Sequence, residues 1–343
     1  MANSNTDQQS VFALFHLVNG YMAAQTLHVA ADLGIADYLK QDGLTIHELG
    51  DKTGSNIDAL GRLLRALVAF GVLNSEADDR FTLTPVGEFL RSDVPGSMRS
   101  AIRFFGGPLT WRAWENLSYS IRTGEPAFDQ AWGMSQFEYS KRHPEVSVIF
   151  DEAMEGLAAL GSAAIMASYD FSQFRTLVDV GGGNGALLAT ILRQHTALRG
   201  RLADLPHVVA GATEVLKRAG VVHRCEIIGC DFFEAVPTGG DAYVLKSIIH
   251  DWDDSKALQI LQNCHRAMES STTLLLLERV LPEKPSLEAA PRYLIDLSML
   301  VLTQKGRERT PAEFQKLLAT AGFDFLGIVP TGGPYDIVTA RKR

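Results

Sequence analysis

Two hydrophobic periods share this chain, and the change from one to the other falls near residue 170. Before it, apolar positions follow helical spacing. Residues 11–39 read as two helices rich in Ala, Leu and Val, broken near Asp32-Leu33-Gly34. In residues 44–50, Thr45 is placed to cap a short helix, with Glu48 three residues on. Leu60, Leu63, Leu64, Leu67 and Val68 line one face of the next helix, which Asn56 or Ser55 can cap and Gly71 ends. Residues 72–73 and 80–83 then suggest a small hairpin around Asp78-Asp79. Helix, turn, helix, hairpin is a winged-helix pattern. Residues 101–170 remain helical and carry many aromatics, among them Phe104, Trp111, Phe128 and Trp132, most of which suit a core. Phe150 and Met154 are four apart and share a helical face, which is assigned here to the substrate.

From Thr176 the pattern alternates short apolar runs with helical ones. Candidate strands are 176–180, 200–204, 225–229, 241–248, 272–277, 323–329 and 335–340. Candidate helices lie at 186–195, 208–219, 255–268 and 311–321, with Asp253 or Asp254 as cap of the third. Only Pro330-Thr331-Gly332-Gly333-Pro334 joins the last two strands, too short for a parallel crossover, so they form an antiparallel hairpin. The expected fold is α/β: a Rossmann-like, seven-stranded mixed sheet of five parallel strands and an antiparallel edge pair, preceded by a mostly α, winged-helix-like domain. The boundaries expected are 1–105 for the first domain and 106–343 for the second, with 106–170 as a helical substrate-pocket segment.

Composition changes the reading of the first domain. The chain of 343 residues has a formal net charge of −8, and 46% of it is hydrophobic, enough for a sizeable core. By count, residues 1–100 hold seven Lys/Arg against twelve Asp/Glu. The would-be recognition helix offers only Arg62 and Arg65 to phosphates, so a nucleic-acid partner is disfavoured. Dimerisation is the better use of this domain, and a homodimer through it is expected. The three cysteines, Cys225, Cys230 and Cys264, show neither a paired framework nor a metal spacing, which fits a reducing cytosol. The polar N-terminus has no basic leader pattern, and no run reaches the ~20 apolar residues of a membrane span.

Candidate chemistry lies at the strand ends. The first strand runs into Gly181-Gly182-Gly183-Asn184-Gly185, a loop that allows positive φ and close approach of a ligand to the main chain. With Ala186 it also satisfies the dinucleotide fingerprint, and Asp204 lies 204 − 179 = 25 residues after Asp179. The terminal hairpin favours S-adenosylmethionine over a nicotinamide cofactor. Asp204, after the second strand, can accept from both ribose hydroxyls. Asp231, after the third, can accept from an adenine amine, and Phe232 can cover the base. Lys246 closes the fourth strand and is followed by His250-Asp251; Glu278 closes the fifth. Ligands of open α/β sheets bind at these carboxyl ends. For any single Asp, a loop cap is an equal or better alternative. Asp251, Asp253 and Asp254 resemble hard-metal ligands, but helix capping accounts for the latter two, and no metal is assigned.

Taken together, these segments resemble the caffeate-type class I S-adenosylmethionine-dependent O-methyltransferases of plants and microbes. The matching pieces are LVDVGGGNG (177–185), DLPHV (204–208), GCDFF (229–233), LKSIIHDWDD (245–254), LLLLERVLP (274–282) and GRERT (306–310). The microbial branch, which methylates phenazines, polyketides and other aromatic natural products, fits best. The resemblance implies that Gly181, Gly183, Asp204, Asp231, Phe232 and Lys246 bind S-adenosylmethionine. It implies that His250 is the general base with Glu278 and Glu308 flanking it, that Asp251 neighbours it, that Met299 contacts substrate, and that no metal is needed.

The chemistry agrees. Methyl transfer to a hydroxyl needs an aligned nucleophile and a place for its proton. A phenol near ~10 and a free imidazole near ~6.5 differ by about 3.5 units, or about 5 kcal/mol if the proton moved first. A carboxylate on the far nitrogen reduces that cost by stabilising the imidazolium. Other readings stay open at this stage: N-methylation or non-methyl-transfer chemistry on the same scaffold, a winged-helix ligand-sensing regulator, and an NAD oxidoreductase.

Overall fold

The structure is a computed structural model that describes residues 4–76 and 79–343. Asp78, in the expected hairpin turn, lies outside the described residues. By contact the chain forms two units, Met1–Glu115 with Phe137–Ala159, and Asn116–Gln136 with Leu160–Arg343. The boundary expected at 105/106 is therefore too simple, because the helical segment 106–170 is divided between the units. The physical reason is a small apolar cluster in which Phe150, Ala153 and Met154 pack with Ala101 and Phe104.

The first unit opens with α1 (Ser4–Val18), α2 (Gly20–Asp32) and α3 (Ile35–Tyr38), three helices where two were expected. The break at Gly34 is real, with φ of 68°. After β1 (Leu44–Thr45) comes α4 (Ile46–Thr53), opened by a capping box in which Thr45 and Glu48 satisfy each other's backbone N–H. Asn56, rather than Ser55, caps α5 (Ile57–Ala69) by accepting from the Ala59 N–H at 3.0 Å. β2 (Leu73–Ser75) and β3 (Arg80–Leu83) follow, giving a three-stranded sheet in the order β1-β3-β2. Leu49, Leu60, Leu64, Leu67, Leu73 and Phe81 fill the core of this winged-helix-like arrangement. Next come α6 (Arg99–Gly106), α7 (Pro108–Glu115), α8 (Leu117–Thr123), α9 (Ala127–Trp132), α10 (Gln136–Arg142) and α11 (Pro144–Ser168), with α8 and α9 in the second unit.

The second unit is built on β4 (Thr176–Val180), α12 (Ala186–Gln194), β5 (Arg199–Asp204), α13 (Ala212–Arg218), β6 (Cys225–Gly229), β7 (Ala242–Lys246), α14 (Asp254–Ala267) and β8 (Thr273–Glu278). It ends with α15 (Ala290–Leu302), α16 (Pro311–Thr320), β9 (Phe323–Val329) and β10 (Asp336–Lys342). The seven strands lie in the order β6-β5-β4-β7-β8-β10-β9. β4 through β8 are mutually parallel, and β10 is antiparallel to both β8 and β9. The expected hairpin is present, and its second strand, β10, lies next to β8, which leaves β9 at the edge. Strand alternation explains the two cores: Leu274 and Leu276 join the cluster that holds α14 and α16 residues, while Leu275 and Leu277 join the one that holds α12 and α13 residues. Asp253, not Asp254, caps α14 by accepting from the Lys256 N–H at 2.9 Å. α15 was not expected from the sequence. Among the described residues no helix is long and apolar enough to cross a membrane.

Candidate active site

The carboxyl ends of β4 to β8 gather most of the residues singled out in the sequence. After β4, Gly181 and Gly183 take φ of 70° and 60°, left-handed values that glycine adopts without a Cβ penalty. A Cβ on Gly181 would lie 2.5 Å from Ile248 Cδ1 and 3.4 Å from Phe232 Cε1, whereas one on Gly183 would meet nothing within 4 Å. The Gly183 N–H donates to Asp204 Oδ2 at 2.8 Å, and the Leu205 N–H to Asp204 Oδ1 at 2.7 Å. The loop and the end of β5 are thus held together around one carboxylate.

After β6, Asp231 Oδ1 accepts from the Phe233 N–H at 2.8 Å, an Asx turn that presents Phe232. The Phe232 ring is 5.0 Å from that of Phe233 and 6.4 Å from that of Trp252. Lys246, at the end of β7, sets Nζ 5.0 Å from the Tyr335 ring centroid. Open space beside Gly183, with a carboxylate next to it and an aromatic ring near the loop, fits a nucleoside cofactor whose ribose donates hydrogen bonds.

His250 sits in a single helical turn, Ile249–Asp251, just past β7. The chain reaches it through Ser247, whose φ of 53° is unusual for a non-glycine residue. Glu278 Oε1 accepts from the Ile248 and Ile249 N–H groups at 3.1 and 2.8 Å, which ties the turn to the end of β8. The segment 306–309 holds it from the other side. The Arg307 N–H donates to the His250 carbonyl at 2.7 Å. Arg309, 1% exposed, donates to the Ile249 carbonyl at 2.9 Å, the Trp252 carbonyl at 2.8 Å and Asp254 at 2.9 Å. Gly306 permits this approach, since a Cβ there would lie 3.0 Å from the His250 carbonyl oxygen and 2.9 Å from Met299 Cε.

The imidazole is ringed by carboxylates. Nδ1 is 3.1 Å from Glu308 Oε1 and 4.0 Å from Glu278 Oε2, and Nε2 is 3.4 Å from Asp251 Oδ1. Glu278 and Glu308 are buried, and each has an Oε2 without a hydrogen-bond partner. Burial alone would lower the proton affinity of His250, but Glu278, Glu308 and Asp251 outweigh it and push the imidazole up to about 10. Burial likewise pushes Glu278 up to about 7, against the pull of His250. With Nδ1–H donated to Glu308, Nε2 is the nitrogen left to accept a proton.

His250, Glu278 and Glu308 offer ligand atoms within 4.8 Å of one another. The donor set suits a proton better than a metal ion. Glu278 Oε1 is already committed to two N–H groups, and Arg279 Nη1 lies 3.7 Å from Glu308 Oε1 as a fixed cation.

Met299 lies on α15 within the second unit, near Gly306. Phe150 and Met154 belong to the first unit, where the Phe150 ring is 5.1 Å from that of Phe104. The sequence reading missed Arg279, Tyr335, Arg309 and Asp179. Asp179 alone carried a signal, a charge inside an apolar strand; it is 1% exposed, and burial pushes its carboxyl up to about 7.

Comparison with known proteins is consistent with this geometry. Residues 114–324 match the O-methyltransferase domain, and residues 15–93 match the O-methyltransferase dimerisation domain. A phenazine O-methyltransferase of Lysobacter antibioticus is 42% identical over 328 residues, covering 96% of this chain and 95% of that protein. An 8-amino-8-demethylriboflavin N,N-dimethyltransferase of Streptomyces davaonensis is 37% identical over 93% of this chain and 91% of its own length. A methyltransferase of calicheamicin biosynthesis, solved with S-adenosylhomocysteine bound, superposes with a TM-score of 0.89 at 35% identity, covering 98% of this chain and 99% of that one. The chain belongs to the family of S-adenosylmethionine-dependent O-methyltransferases.

Proposed function

We propose that this enzyme methylates a hydroxyl of a planar aromatic natural product, of the phenazine, polyketide or other phenolic class, with His250 as general base. The observation that carries the reading is the orientation of the imidazole. Its Nδ1 is held by Glu308 at 3.1 Å, which leaves Nε2 as the acceptor. S-adenosylmethionine, when bound, supplies a methyl group already activated on a sulfonium. Gly181, Gly183, Asp204, Asp231, Phe232 and Lys246 would hold it, with Asp204 accepting from the ribose and Asp231 from the adenine. Met299 is assigned to the substrate, and Asp251 to the substrate side of the base.

The chain's own contribution is proton management. An imidazole at about 10 matches a phenol near ~10, so the mismatch of about 3.5 units expected for a free histidine largely vanishes. The same carboxylates keep His250 protonated at neutral pH, so turnover should rise as pH increases. A homodimer is part of the proposal. Val11, Phe12, Leu14, Phe15, Leu17 and Val18 of α1 are 61% to 72% exposed, an apolar surface suited to a second copy. Mass photometry or light scattering would test it.

The relative named as an N,N-dimethyltransferase keeps one second reading alive, methylation of an aromatic amine. A panel of hydroxyphenazines, hydroxynaphthoates and aromatic amines, incubated with S-adenosylmethionine and read by mass spectrometry, separates the two. Products on phenols alone, lost in His250→Gln, support the proposal. Equal turnover by His250→Gln would refute the base.

A further inference from the structure

We propose that Arg279 is a positioning residue that sets the working pH of the His250 base, acting through Glu308 from a platform formed by Tyr335. The proposal rests on the reading of His250 as the base and extends it to a residue paired with Glu308 and Tyr335.

Three carboxylates face one imidazole: Asp251 from its own turn, Glu278 from the end of β8, and Glu308 from the segment after α15. Asp296 of α15 adds a fourth acid behind them, accepting from the Glu308 N–H at 2.9 Å. Burial holds Glu278, Asp251 and Asp296 above their ordinary values, and one imidazolium does not balance the acids that stay ionised, an unbalanced buried carboxylate being costly. Arg279 supplies the second cation. It follows Glu278 directly in sequence, and its Nη1 reaches 3.7 Å from Glu308 Oε1, the same oxygen that His250 Nδ1 approaches to 3.1 Å. Two cationic groups therefore face one carboxylate oxygen, the imidazole at hydrogen-bond distance and the guanidinium as an ion pair. Whatever Glu308 gives to the guanidinium it withholds from the imidazolium, so Arg279 lowers the proton affinity that the carboxylates raise.

The guanidinium is fixed in place. Its Cζ lies 4.8 Å from the Tyr335 ring centroid, and Nη2 donates to the Tyr335 hydroxyl at 3.4 Å. Tyr335 is itself 5% exposed, and Gly161 makes room for it, because a Cβ there would lie 2.4 Å from the ring. Lys246 Nζ is the other cation over this ring, at 5.0 Å. Burial tends to raise the Tyr335 hydroxyl, but Arg279 and Lys246, together with Ser247 and His250, outweigh it and draw it below the usual phenol value. The phenol thus responds to the same cations that the platform holds.

The test reads the imidazole directly and needs no substrate. With 13C-labelled histidine and S-adenosylhomocysteine present, His250 is titrated by NMR, its signal identified by its loss in His250→Gln. Arg279→Met should move the His250 midpoint upward by about one unit. Arg279→Lys, which keeps the charge without the planar stack, should fall between. Tyr335→Phe should give a smaller upward shift and serves as the readout should Arg279→Met fail to fold. The rising limb of kcat for a hydroxyphenazine should move by the same amount, with S-adenosylhomocysteine affinity unchanged. An unshifted midpoint in Arg279→Met, or in Tyr335→Phe if that is the folded variant, overturns the role of Arg279 and leaves the base intact. A pH limb that persists in His250→Gln overturns the base, and the proposal with it.

Discussion

Arg309 donates from Nη1 to the carbonyl of Ile249 at 2.9 Å, and so fixes the backbone immediately before the base. The same side chain reaches Trp252 just beyond the turn and Asp254 in the first turn of α14. Replacing Arg309 by Met leaves two carbonyls without their donor and one carboxylate without its cation. A loss of about 1–3 kcal/mol of stability is expected, mainly from the stranded carbonyls, since the Asp254 side chain is 69% exposed and water can take the place of its cation. Chemical denaturation of the variant beside the parent measures it, and a loss below 1 kcal/mol would contradict the clamp.

Glu308→Gln should act on the base in the direction opposite to Arg279→Met. Glu308 raises the proton affinity of His250, so neutralising it should bring the imidazole down from about 10 toward its ordinary value. The rising limb of the pH–rate profile should then move to lower pH. The plateau rate should fall as well, because the imidazolium formed in the reaction loses a partner; roughly tenfold or more is expected. A profile displaced to higher pH would contradict the electrostatic account.

Folding stability should decline as the solution becomes alkaline. His250 is raised in the folded state from 6.5 to about 10, so its contribution is fully present below about 6.5 and disappears as pH rises through about 10. Glu278 and Asp179, raised to about 7 from ordinary carboxyl values, act in the same sense between about 4 and 7. Thermal melts from pH 5 to 10 should show a falling midpoint, and His250→Gln should flatten the upper half of that range. A midpoint that climbs with pH would argue against these buried groups.

Gly181→Ala should weaken cofactor binding without unfolding the protein. A φ of 70° costs an alanine about 1–2 kcal/mol, and its Cβ would meet Ile248 Cδ1 at 2.5 Å. The Ile248 methyl can move, so the strain should appear mainly as a loop displaced from Asp204 and Phe232. Calorimetry with S-adenosylhomocysteine should read at least a tenfold loss of affinity, roughly 1.4 kcal/mol. Unchanged affinity would place the cofactor elsewhere.

Much of the second unit was legible because its strands are short apolar runs bounded by Gly, Asp or Pro, and each ends in a residue with chemistry. The glycine loop, Asp204, His250 and Glu278 all stand at such ends. α15 escaped because residues 293–302 are apolar almost all round, and such a run has no period to favour helix over strand. Arg309 escaped because arginine usually lies at the surface, and nothing local announces a cation buried by carbonyls from residues 249 and 252. Arg279 and Tyr335 are 56 positions apart, and their pairing follows only from β10 lying against β8. The division of residues 106–170 was hidden for a similar reason. Ala153 and Phe150 find their partners at Ala101 and Phe104, a long-range match that no periodicity encodes.

The place of β10 between β8 and β9 also bears on how the protein is made. A ribosome delivers β9 before the strand that joins it to the sheet, so until β10 emerges β8 exposes an open edge and β9 has no pairing at all. The catalytic unit cannot finish folding step by step with synthesis. A nascent chain stopped short of Asp336 would carry a nearly complete site beside an unprotected, aggregation-prone border.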